Sequence, residues 1–171
     1  MIRMDKEQKN ITNIYALLAV SLIMSFVPMM TAAVLAFAMF MAVLIGAYMF
    51  RKKAEAGSLT HDHMSYIIRT IWITGFFGIF SLAAAAIYVL QNYMPDALQP
   101  CAEAMLNAGE NASYAIVADC MPEFISDNKM VFLNGTLIGA APIVIYIGYR
   151  LAKGLNRAVK GHRIGDLKNW F

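Results

Sequence analysis

The sequence predicts an all-α, polytopic membrane protein: four transmembrane helices and a small helical, disulfide-stapled outer loop, forming a single membrane domain over residues 1–171. Three observations predict it. Hydrophobic residues make up 60% of the chain and charged residues only 15%. The mean hydropathy is +0.56. The apolar residues fall in runs long enough to cross a bilayer, and the basic residues collect at the ends of those runs. A soluble globule is nearer half apolar and a quarter charged. With 11 Gly, 5 Pro and 2 Cys, the chain is neither collagen-like, nor disordered, nor a disulfide-rich scaffold.

The first apolar run extends from Ile11 to Phe50 without a charged residue. A spanning helix takes about 20 residues, so the run holds two. Pro28 marks the break, because proline removes a helix hydrogen bond and clashes with the preceding turn. Spans are expected at 11–27 and 30–50, as antiparallel neighbours. The early apolar run is read as an uncleaved signal-anchor, since it continues through Phe50. A third span is expected at 67–90, with Arg69 near its start, and a fourth at 130–150. Runs such as that from Ala33 to Ala47 do not alternate as barrel strands must.

Charge sets the expected orientation. Thirteen of the fourteen basic residues lie before the first span, between the second and third, at the start of the third, or near and after the end of the fourth. Basic flanks of short segments stay in the cytoplasm. The loop 91–129 instead carries six acidic residues and one lysine, Lys129. Four spans and this bias place both termini in the cytoplasm of a bacterial inner membrane.

The outer loop holds Cys101 and Cys120, the only cysteines. Outside an inner membrane, paired thiols are oxidised. A bridge is expected to staple a helical hairpin there; two free buried thiols are the alternative. Asn111-Ala112-Ser113 matches a glycosylation sequon that only a eukaryotic host would use.

Small residues let helices approach closely in lipid. Ala38, Ala42 and Gly46 recur at four-residue spacing, and Gly135 and Gly139 form a GxxxG. Both are candidate helix-packing faces. Pro142 is expected to kink the fourth span. The 13 methionines read as flexible packing and lipid contact rather than a Cu(I) site.

On the inner side, His61, Asp62 and His63 precede the third span. Metal sites want three or four convergent ligands, so hydrogen bonding to headgroups or backbone is the reading, with no metal or cofactor. Arg69 is expected to snorkel to the headgroups, flanked by Tyr66 and Trp72 as an aromatic belt. The tail 151–171 places Lys153, Arg157 and Lys160 after Arg150 at helical spacing. It reads as a basic extension on anionic lipid. The lipid bilayer, other membrane proteins and a second copy are the expected partners; nucleic acid is not.

No GxSxG, HExxH or P-loop occurs. No acidic residue falls in an expected span, which lowers a proton-coupled carrier. The segment His63-Met64-Ser65-Tyr66-Ile67-Ile68-Arg69-Thr70-Ile71-Trp72 resembles an "H…IRTFW" stretch of small bacterial inner-membrane proteins. Those proteins look like distant relatives of the plastid import component Tic-twenty. Tyr149-Arg150-Leu151-Ala152-Lys153-Gly154, followed by Gly161, is similar to their "YR…KG…G" exit from the last span. Ile67 stands where that motif commonly has glutamine, and the outer loop is longer. The resemblance implies a role in protein translocation or assembly, with His63, Arg69, Thr70 and Trp72 as candidate functional residues.

The sequence therefore points first to a non-catalytic subunit or scaffold of a membrane complex. A small-solute or ion transporter acting as an oligomer is the alternative, with Asn134, Thr136 or Arg69 on its path. A membrane enzyme would need His61, Asp62 and His63 to bind metal.

Overall fold

The computed structural model describes residues 5–108 and 114–165. The sequon at 111–113, Gly109, Arg3 and Lys168 lie outside the described residues. The described chain is all-α: α1 (Lys6–Met24), α2 (Met30–Lys53), α3 (Leu59–Asn92), a 3-10 turn (Pro95–Leu98), α4 (Gln99–Ala108), α5 (Tyr114–Asp127) and α6 (Lys129–Val159).

Among the described residues three helices, not four, are long and apolar enough to cross a membrane: α2, α3 and α6. The expected first span is corrected by where its helix starts and stops. An Asp5–Gln8 capping box starts α1 early, so Lys6, Glu7 and Lys9 occupy its first turns. The helix ends at Met24, four residues before Pro28. Its apolar part, 11–24, is then about 21 Å long, against a hydrocarbon core of about 30 Å.

The other boundaries also move outward. Ser58 accepts the His61 amide through Oγ, so α3 begins at Leu59 and not at 67. At 34 residues α3 is about 51 Å long, more than the bilayer needs. The last span likewise continues to Val159. It stops in a Schellman turn: Gly161 (φ 68°) donates to the Ala158 carbonyl and His162 to that of Arg157. Three basic residues, Arg51, Lys52 and Lys53, close α2 where the helix dipole favours cations.

The chain forms two compact units, 1–76 with 145–171, and 77–144. In the first, α1 packs along α2, and the core gathers Ile11, Tyr15, Leu18, Val43, Ala47, Met64, Ile67 and Ala158. In the second, Gly135 and Gly139 of α6 meet α3. A methyl on Gly139 would stand 3.2 Å from the Ala85 methyl, and one on Gly135 2.6 Å from Val89. This GxxxG therefore packs within the chain. The Ala38 and Ala42 side chains are exposed, and nothing lies near the open side of Gly46. On α2 it is Ala32, Ala36, Val43 and Ala47 that are buried.

Beyond the spans, Cys101 and Cys120 are bridged, joining α4 to α5. Asn128 is fully buried at the α5–α6 corner. It accepts the Met94 amide at 2.7 Å and donates to the Phe124 carbonyl at 3.1 Å, fixing where the chain leaves α3 and enters α6. Pro142 lies inside α6 and Pro122 inside α5.

Candidate functional site

The polar side chains that the sequence scatters over three segments come together at one end of the first unit. Glu7, in the first turn of α1, accepts both the amide (2.9 Å) and the hydroxyl (2.7 Å) of Thr60. A carboxylate there satisfies an orphan amide at the α3 N-terminus and faces the positive end of its dipole. Gln8 lies against Gly161, in the space a side chain at that position would need. Asp62 is buried, and its Oδ2 accepts from Arg163 Nε at 2.7 Å. Arg157 in turn donates to the Arg163 carbonyl at 3.0 Å. The start of α1, the start of α3 and the segment after α6 are thus joined by charge-assisted bonds, the stronger kind.

His63 is the pivot, with no exposed surface. Its Nε2 lies 3.0 Å from the His162 carbonyl, and its Nδ1 lies 3.1 Å from the Tyr15 hydroxyl. A carbonyl only accepts, so Nε2 carries the proton. Nδ1 then accepts from Tyr15, and both nitrogens of a neutral ring are used. The edge of the Tyr15 ring meets the imidazole at 89°. Gly154 makes room for Tyr15, since a Cβ there would stand 2.6 Å from two ring carbons.

A second layer surrounds Arg150, the largest fully buried side chain. Its guanidinium lies 3.8 Å from the centre of the Tyr66 ring. Its Nε donates to Thr70 Oγ1 at 3.1 Å, and Tyr66 donates to the Arg150 carbonyl at 3.2 Å. Thr70 donates to the Tyr66 carbonyl one turn back. Such stacking stabilises a desolvated cation by about 2 kcal/mol.

The four residues singled out by sequence therefore separate. His63 and Thr70 are in the network. Arg69 is half-buried beside it. Trp72 is 62% exposed and donates to the Tyr48 hydroxyl at 2.9 Å, an aromatic pair on the outer surface of the helices. His61 approaches Asp62 at 3.5 Å, whereas His63 turns to Tyr15 and His162. Among the described residues no three His, Cys, Asp or Glu side chains converge as metal ligands would. Asn134 donates to the Tyr88 hydroxyl and Thr136 to the Phe132 carbonyl. The sequence reading missed Tyr15 and the burial of Arg150. Its usable signal was Tyr66 and Thr70 four residues apart, which one face of α3 offers to a single partner.

This arrangement clamps: His63 is buried and both of its ring nitrogens are engaged by the chain itself. Comparison with protein-family models, curated proteins and solved structures returned no match.

Proposed function

We propose that the protein is a non-catalytic integral membrane subunit or scaffold. One observation carries this reading. The disulfide-stapled segment outside the spans presents large apolar side chains: Leu106 is 81% exposed, Ile125 53% and Met105 43%. Apolar groups on a covalently braced, acidic hairpin suit a protein partner. Buried residues of the inner network bond to the chain itself, as a rigid support requires.

The same reading extends to topology. α1 returns along α2, so the hairpin enters the membrane as a pair, and the start of α1 meets the turn after α6 at the polar cap. The basic bias assigns that cap to the cytoplasm of a bacterial inner membrane, with Lys153, Arg157 and Lys160 on anionic lipid. Translocation or assembly, the role implied by the Tic-twenty resemblance, is the process we assign to the complex. Mild detergent extraction followed by native mass measurement tests it. The expected result is an assembly larger than the 18.9 kDa chain, weakened by Leu106→Glu. A lone monomer that Leu106→Glu leaves unchanged contradicts it.

A further inference from the structure

We propose that the end of α2 holds the headgroup of an anionic phospholipid, at a site separate from the basic tail. The inference rests on α2 crossing the bilayer, and is independent of any protein partner. A cavity of about 580 Å³ is lined there by Tyr48, Met49, Arg51, Lys52 and His61, with Ala54 and Ala56. Three features of its lining fit one ligand. Arg51 and Lys52 supply two permanent cations, and the planar fork of Arg51 suits a phosphodiester. His61 also lines the cavity, its Nδ1 lying 3.5 Å from the Asp62 carboxylate. One wall is apolar and continuous with the lipid-facing surface: Met49 is 54% exposed and Tyr48 44%, and Tyr48 accepts from Trp72.

A water-soluble anion would use the cations and gain nothing from the Tyr48–Met49 wall. A phospholipid uses both, because its glycerol and acyl chains lie against the span while the phosphate meets the cations at its end. Basic sites at this depth select anionic headgroups. A zwitterionic lipid brings its own cation into the same space and is disfavoured.

Trp72 reports on the site through Tyr48. The test uses the full chain with Trp170→Phe, reconstituted in phosphatidylcholine bilayers containing a minor fraction of brominated lipid. Brominated phosphatidylglycerol should quench Trp72 more than brominated phosphatidylcholine, with a preference of about thirtyfold in apparent affinity from two interfacial cations. Arg51→Gln with Lys52→Gln should abolish the preference while quenching by phosphatidylcholine persists, which shows the protein still seated in lipid. The charge-keeping Arg51→Lys with Lys52→Arg should retain most of it. Lys153→Gln with Lys160→Gln in the tail should leave it intact. Equal quenching by the two lipids, or a preference that survives loss of both cations, overturns the proposal. Abolition by millimolar inorganic phosphate at constant ionic strength overturns the lipid assignment in favour of a free phosphate. Loss of quenching by both lipids would instead show that the helices are not in the bilayer, and would remove the inference together with its premise.

Discussion

At Gly154 a hydrogen atom faces the Tyr15 ring, and a methyl would collide with it. Gly154→Ala is expected to destabilise the protein by about 1–3 kcal/mol, the usual cost of overpacking a core. Tyr15→Phe keeps the ring but leaves His63 Nδ1 without its donor, and should cost about 1 kcal/mol. Thermal unfolding in detergent should therefore rank the wild type first, Tyr15→Phe second and Gly154→Ala last. Arg150→Lys keeps the charge but loses the Nε bond to Thr70 and the flat stack on Tyr66. A loss of about 1–2 kcal/mol is expected in the same assay. An unchanged midpoint would show that the guanidinium contributes little. These residues were hard to read in the sequence for a physical reason. A cation after an apolar run ordinarily lets its head reach water. Arg150 does not, because Tyr66 and Thr70, about eighty residues earlier, receive it.

Among the elements, the long apolar runs were legible because lipid demands length and lacks other hydrogen-bond partners for the backbone. Their ends were not. The polar stretch 60–65 looks like a loop, yet it is helical because Ser58 and Glu7 satisfy amides at its start. Glu7 acts from 53 residues away, where no local pattern reaches. The first span was misjudged in the opposite direction: the apolar run continues past 24, but the helix does not. The two small-residue stripes looked alike as patterns, and the structure gives them different surroundings. Gly139→Leu should destabilise the fold by about 1–3 kcal/mol, because the leucine must displace α3. Ala42→Leu should leave thermal stability unchanged, since its side chain is exposed. If the alanine stripe is a self-association face, the same variant lowers the oligomer fraction seen by native mass measurement. The cysteine pair was legible from number and spacing. Closing a loop across 19 residues stabilises by about 3 kcal/mol in the chain-entropy account. Reduction should make the α4–α5 segment cleavable by protease while the spans remain protected. Cleavage rates equal with and without reductant would show that the bridge does not brace it.

At the scale of the whole molecule, the topology we propose follows from how α1 is placed. By length and composition α1 is not a spanning helix, yet it packs along one. Its first turns bond to the start of α3, and Gln8 reaches the turn after α6. The charge bias argues for the same side from independent physics, since cationic flanks resist crossing. The most direct test is thiol labelling with an impermeant reagent in membrane vesicles of known orientation. Single cysteines at Lys9, Lys160 and Asn107 would be introduced in a Cys101→Ser, Cys120→Ser background. Lys9→Cys and Lys160→Cys should label only from the cytoplasmic face, and Asn107→Cys only from the opposite one. Labelling of Lys9→Cys and Lys160→Cys from opposite faces would contradict the account.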